Sequence, residues 1–199
     1  MRSAPVVVVL PKRHGDARGW FTESYSVPAF AALGIACTFV QDNHSLSAPA
    51  FTLRGLHFQT PQRGQDKLIR CIRGRIFDVA VDIRKGSPTY GRWVGAELSA
   101  ENGHQLFVPI GFAHGFLTLE PDCEVTYKCS DTYAPEADGG IRWDDPALLA
   151  LGVSTSGGIA WPLPPGTIPE LSAKDAVQPL LSDFDSPFAY DGRPLEPLA

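Results

Sequence analysis

From Phe39 to Ser130 the chain is a succession of short strand-like stretches, 39–45, 52–59, 67–73, 75–83, 93–99, 105–109, 113–119 and 123–130, separated by little more than turns. Short strands punctuated by Gly, Pro and Asn leave an all-β sandwich or barrel as the fold class. Asn102-Gly103 is the strongest short hairpin signal, and Arg73-Gly74-Arg75 permits another tight reversal. Ahead of this region, 6–10 and 20–25 read as strands around a turn region at 12–19. Residues 28–33 read as one short helix, with Ser26 to cap it, Pro28 in its first turn and Gly34 at its end. Beyond Pro146 the composition shifts toward Pro, Gly and Ser, with a helical turn expected at 148–151 and a tail that wraps the barrel.

A chain of 199 residues suits a single domain with one core, expected here over 1–199. Its 44% hydrophobic and 20% charged residues are ordinary for a soluble protein, and a net charge of -5 gives no reason to expect nucleic acid as a partner. No apolar run reaches the length of a membrane span, and 6–10 lacks the length and cleavage site of a signal peptide, so the expected compartment is the cytoplasm. Cys37, Cys71, Cys123 and Cys129 show no CxxC spacing and are expected as free thiols.

Alternation in 52–59 puts Leu53, Gly55, His57 and Gln59 on one face. Lys67 falls in phase with Ile69 and Cys71, and Tyr127 with Cys123, Val125 and Cys129. One imidazole, one ammonium and one phenol are therefore expected to meet in a single cavity. In 75–83, Phe77, Val79, Val81 and Ile83 read as the buried side, with Asp78, Ala80 and Asp82 opposite.

The segment Pro109-Ile110-Gly111-Phe112-Ala113-His114, following the Gly55 to Gln59 strand, resembles the motif order of cupins, small jelly-roll barrels. Metal-binding cupins usually carry two imidazoles two residues apart on the first of these strands. Here the pair is His57 and Gln59, and an amide is a poor replacement for an imidazole, so no metal and no other cofactor is expected. The detailed resemblance is closer. Asp16-x-Arg18-Gly19-x-Phe21-x-Glu23, Gln41-Asp42-Asn43-x-Ser45, Arg54-Gly55-Leu56-His57-Phe58-Gln59, Lys67-Leu68-Ile69-Arg70-Cys71, Tyr127-Lys128-Cys129 and Leu171-Ser172-x-Lys174-Asp175 together resemble the dTDP-4-dehydrorhamnose 3,5-epimerases, from about Val9 to about Phe188.

The resemblance implies a mainly β, cupin-type jelly roll with a few short helices, acting on a dTDP-linked 4-keto-6-deoxy sugar as a homodimer. His57 is similar to the family's base and Asp175 to its orienting carboxylate, Lys67 to the cation that meets the developing enolate, and Tyr127 to the acid on the opposite face. Arg54 is similar to an arginine meeting phosphate or sugar, and His114 to a second histidine of the pocket. Arg18, Phe21, Glu23, Gln41 and Asn43 match positions that hold the nucleotide, with the amino-terminal strands reaching into the partner subunit. Tyr133 resembles an aromatic near the base, although many relatives carry two tyrosines where this chain has Thr132-Tyr133. Strict alternation sends Arg54 to the face opposite His57, and a bulge at Gly55 would reconcile them. Inversion of only carbon 3 or carbon 5, and a non-catalytic sugar-nucleotide binding cupin, are the alternatives left open.

Overall fold

The computed structural model describes residues 5–152 and 157–198. Its strands are β1 (Val7–Val9), β2 (Arg13–Asp16), β3 (Gly19–Thr22), β4 (Gln41–Ser47), β5 (Leu53–Gln59), β6 (Lys67–Arg73), β7 (Arg75–Asp82), β8 (Arg92–Ser99), β9 (Gln105–Val108), β10 (Phe112–Thr118), β11 (Cys123–Cys129), β12 (Asp138–Gly140) and β13 (Leu149–Ala150), with one α-helix, α1 (Val27–Ala32). A five-stranded sheet runs β1-β9-β6-β11-β4 and a six-stranded sheet runs β12-β5-β10-β7-β8-β13, while β2 and β3 pair as a separate ribbon. The two larger sheets face each other as the walls of a cupin-type jelly roll.

Several local expectations change. The stretch 12–19 is not all turn: Arg13 to Asp16 pair with Gly19 to Thr22 as a hairpin. The two tight reversals do not make hairpins. Gly74 (φ 76°) joins β6 to β7 and Gly103 (φ 65°) lies between β8 and β9, and in each case the two strands belong to opposite sheets. A turn signal fixes a reversal of direction but not whether the chain returns to the same sheet. Residues 149 and 150 form a strand instead of a helical turn, because they find an open edge and pair in parallel with Arg92 and Trp93. Ser26 precedes α1 in extended conformation without a side-chain capping bond, and the helix closes where Gly34 donates to the Ala31 carbonyl at φ 81°.

The barrel interior is built by both sheets: Ile69, Cys71, Leu106, Val108 and Val125 from one, and Ile76, Ala80, Val94, Leu98, Phe112 and Phe116 from the other. Hence β7 turns its Ile76, Asp78, Ala80 and Asp82 face inward, the reverse of the expectation. Its Phe77, Val79, Val81 and Ile83 face is also covered, by a second cluster that includes Ile159, Trp161, Phe184 and Phe188. Phe77 is only half-buried there, edge-on to Trp93 and Trp161. The alternation of β7 predicts one buried side, but the carboxyl-terminal segment supplies apolar residues that bury the other as well. A third cluster, with Phe30 and Ile35 on Val9, Leu68 and Phe107, seats α1 on the outside of the five-stranded sheet. All four cysteines are free thiols.

Candidate active site

His57 stands in the middle of β5 with backbone pairing on both sides, to His114 of β10 and to Gly140 of β12. That double pairing fixes where the imidazole emerges. Between His57 and Arg54 the ladder slips: His114 opposes His57 and Phe116 opposes Arg54, so β5 spends one residue more than β10. This bulge sits at Gly55, whose φ is 135°. A Cβ there would lie 2.6 Å from the Gly115 Cα and 2.9 Å from the His114 carbonyl oxygen, so only glycine allows the strands to approach this closely. The slip returns Arg54 to the inner face with His57, and it sends Leu53, opposite Leu117, to the outer one. Leu53 and His57 therefore do not share a face, contrary to simple alternation. Arg54 donates to Ser47 Oγ at 3.1 Å and to the Leu46 carbonyl at 3.1 Å, which holds it over the β4 end of the barrel.

Asp175 lies 118 residues away in sequence, in a single 3-10 turn Asp175–Val177, with its Oδ1 2.5 Å from His57 Nε2. Ser172 Oγ accepts the Asp175 amide at 3.1 Å and so shapes that turn. Burial pushes the Asp175 carboxyl up, but the His57 hydrogen bond and charge, with Ser172 and the Gly55 amide, outweigh it and hold the pKa below the ordinary carboxylate value.

Across from this pair, Lys67 and Tyr127 project inward from β6 and β11 of the five-stranded sheet, where Tyr127 stands in register with Ile69 and Cys129 with Lys67. Burial pushes the Lys67 ammonium below the usual lysine range, against the pull of Cys129, Asp138 and Asp78. It forms no salt bridge among the described residues. Burial pushes the Tyr127 phenol up, and Cys129 adds to this while the Arg54 charge opposes it.

These groups line one cavity of about 290 Å³, which His57, Lys67 and Tyr127 share with Gln41, Asn43 and Tyr133. Gln41 ties the rim together: its Nε2 donates to Asn43 Oδ1 at 3.0 Å and its Oε1 accepts the Tyr133 amide at 2.9 Å. Four lining residues were given no role from the sequence, namely Phe58, Gln65, Asp138 and Lys174. Asp138 Oδ2 accepts from both Lys174 and the Tyr133 hydroxyl. Lys174 could have been found as the neighbour of Asp175 in its motif; Asp138 carried no signal. Gln59, only 4% exposed, is saturated: its Nε2 donates to the Arg63 carbonyl at 2.6 Å and the Thr132 carbonyl at 3.2 Å, and its Oε1 accepts the Ala134 amide at 2.7 Å. It braces the loop that carries Tyr133. Among the described residues no cluster of three or more His, Cys, Asp or Glu side chains suits a metal ion.

Besides Asp175, which meets the site through His57, five expected residues do not line this cavity, and Arg54, tied to Ser47 and Leu46, is one of them. His114 is 7% exposed and lies beside His57 on the inner face with Nε2 bonded to Asp78, so it backs the cavity instead of lining it. Arg18 and Phe21 line a separate cleft of about 200 Å³ on the β2–β3 hairpin, and Glu23 lines a groove beside α1. Within one chain none of these three reaches His57. Arg18 pairs with Asp16 at 2.5 Å and not with Glu23.

The profile described as dTDP-4-dehydrorhamnose 3,5-epimerase matches residues 3–183. The chain belongs to this family. Curated proteins named dTDP-4-dehydrorhamnose 3,5-epimerase include one from Salmonella typhimurium, 52% identical over 177 residues (88% of this chain, 90% of that one), and one from Sinorhizobium fredii, 49% identical over 187 residues (94% and 90%). Among solved structures, the 3,5-epimerase of Legionella pneumophila in complex with dTDP-4-keto-L-rhamnose is 46% identical with a TM-score of 0.80, covering 89% of this chain and 88% of that one. A 3'-monoepimerase from Streptomyces bikiniensis, in complex with dTDP-quinovose, is 33% identical with a TM-score of 0.78, covering 88% and 83%. A chain of this family is an isomerase.

Proposed function

We propose that the protein epimerises carbons 3 and 5 of dTDP-4-keto-6-deoxy-D-glucose to give dTDP-4-keto-L-rhamnose. The observation that carries the reading is the opposition of His57, on the six-stranded sheet, to Tyr127, on the five-stranded sheet, across one cavity. Inversion at a carbon next to a ketone needs a base on one side of the sugar ring and an acid on the other. His57 takes the proton, and the electron pair of the broken C–H bond flows into the carbonyl to give an enolate. Lys67 meets the developing negative charge in a site where burial strengthens the interaction. Tyr127 returns a proton to the opposite face. Each inversion leaves His57 protonated and Tyr127 ionised, and proton exchange with water resets both. Asp175 holds the imidazole ring and favours the imidazolium that forms.

The same reading assigns the nucleotide to Gln41, Asn43 and Tyr133 at the rim, Arg54 to phosphate or sugar, and His114 to the pocket's second imidazole. Arg18, Phe21 and Glu23 come from the hairpin of a second copy, in a homodimer of single-domain subunits. The 70% exposure of Phe21 and 54% exposure of Trp20 on that hairpin support it, since large apolar groups so placed fit a contact surface. The four free thiols suit a cytoplasmic setting.

The likeness to the 3'-monoepimerase keeps one competing reading, in which only one carbon is inverted. Proton NMR of the substrate in heavy water separates them. Solvent exchange at both carbons 3 and 5 with an L-sugar after reduction is expected. Exchange at one carbon only would establish mono-epimerisation, and exchange at neither would overturn the reading.

A further inference from the structure

The inner face of the six-stranded sheet carries a second imidazole–carboxylate couple that the mechanism above leaves unused. His114 Nε2 lies 2.6 Å from Asp78 Oδ1, and the two side chains are almost sealed, at 7% and 0% exposure. Their surroundings are apolar: Ile76, Ala80, Leu98 and Phe116 belong to the barrel's main cluster. Asp78 Oδ2 has no hydrogen-bond partner, so half of a buried carboxylate is left unsatisfied. An interior that sought only stability would place an aliphatic side chain here, because a buried carboxylate with an orphaned oxygen is costly. Such a departure from good packing is expected where a site uses it. The register says which site: His114 stands directly opposite His57 on the adjacent strand, and Asp78 follows on the next strand, opposite Phe116.

We propose that Asp78 is a positioning residue of the epimerase site, acting through His114: its carboxylate accepts a hydrogen bond from Nε2–H and fixes the ring in one orientation behind the cavity, directly beside His57. The inference rests on the epimerase reading. Fixing one tautomer matters because a ring free to flip would set a donor beside the His57 wall of the cavity in one orientation and an acceptor in the other. The Asp78 charge also bears on Lys67 from across the barrel, where it favours the ammonium form.

The test is Asp78→Asn, alone and combined with His114→Gln, read by steady-state kinetics and thermal unfolding beside the wild type. The amide keeps the shape and removes the charge. A fall in kcat of about 10- to 100-fold, the size of effect seen when a metal-bound imidazole loses its carboxylate partner, is expected, with KM within about threefold and Tm not lowered. In the His114→Gln background Asp78→Asn should then add nothing further. Unchanged kcat, or a full further loss in that background, would overturn the proposal. Should Asp78→Asn fail to fold, the wild type still decides: a far-downfield ring N–H resonance in nitrogen-15 histidine-labelled protein, absent in His114→Gln, supports the couple, and its absence from the wild type sinks it. Wild-type protein that exchanges neither carbon would defeat the epimerase reading, while the resonance would go on testing the couple.

Discussion

His57 Nε2 and Asp175 Oδ1 meet at 2.5 Å although one sits in the middle of a doubly paired strand and the other in an irregular tail. The strand fixes the ring's origin and the tail fixes its rotation. Asp175→Asn keeps the shape but offers an amide that can donate where the carboxylate can only accept, and the ring then has reason to take the wrong tautomer. We expect kcat to fall by roughly 10²- to 10⁴-fold with KM little changed, the scale of lost general-base assistance. His57→Ala should abolish solvent exchange at both carbons in the heavy-water experiment. Wild-type exchange rates in either variant would remove the pair from the mechanism.

The same couple has a signature in acid. Asp175 is held below its ordinary value in the folded protein, whereas in the unfolded chain it returns to about 3.9. A depressed carboxylate pKa stabilises the fold above the unfolded pKa, and that contribution is lost as pH falls through the lower folded one. Urea titrations of wild type and Asp175→Asn should therefore differ most near neutrality and converge as the pH falls past the ordinary carboxylate value and through the lower folded one. A gap that stays constant across this range would mean that the carboxylate charge contributes nothing.

Lys67 and Tyr127 are shifted in opposite directions by the same burial, because desolvation disfavours the charged form of each. The phenol stays loaded with its proton beyond the usual tyrosine range near 10, while the ammonium loses its proton below the usual lysine value near 10.4. The alkaline fall in kcat thus belongs to Lys67. Lys67→Arg, which keeps its charge at any accessible pH, should show a lower kcat but an alkaline limb moved upward. A limb that did not move would reassign it. Tyr127→Phe should retain exchange while failing to complete inversion.

Gly55→Ala tests the bulge. The new Cβ would meet the backbone of Gly115 and His114 at 2.6 and 2.9 Å, and the residue would have to hold φ at 135°. We expect a loss of about 3 kcal/mol or more by urea denaturation, since both overpacking and backbone strain contribute. Activity should fall with it, because Arg54 and His57 share a face only through the slip in register. A stable, active Gly55→Ala would show that the strands can part without consequence.

Much of this site was legible in the chain because period-two alternation survives in β6 and β11: Lys67 and Tyr127 point where their apolar neighbours point. In β5 the same rule misassigned Leu53 and Arg54, since a bulge adds one residue and leaves only a glycine as its trace. In β7 it named the wrong face as interior. Asp78 and Phe77 differ in polarity in the way an exposed and a buried position do, yet the aspartate pairs with His114 inside the barrel and the phenylalanine lies under the tail. A carboxylate buried by a partner far along the chain has no local signature. Asp138 escaped for the same reason, being defined only by what it holds, Lys174 and Tyr133.

The position of the hairpin leads to the last prediction. Arg18, Phe21 and Glu23 are proposed to hold the nucleotide, yet in one chain they line clefts that contain none of His57, Lys67 or Tyr127. If they serve a neighbouring subunit, each active site is assembled from the barrel of one copy and the hairpin of another. Two inactive variants can then repair each other. His57→Ala has a sound hairpin and a dead barrel, and the double variant Arg18→Ala, Phe21→Ala has a sound barrel and a crippled hairpin. A mixed dimer contains one site made of the two sound halves and one made of the two defective halves. Co-expressed and purified through two different tags, it should recover about half of the wild-type rate per dimer, as one of two sites is restored. If the hairpin served its own barrel, every site in the mixture would keep one defect and no recovery would be seen.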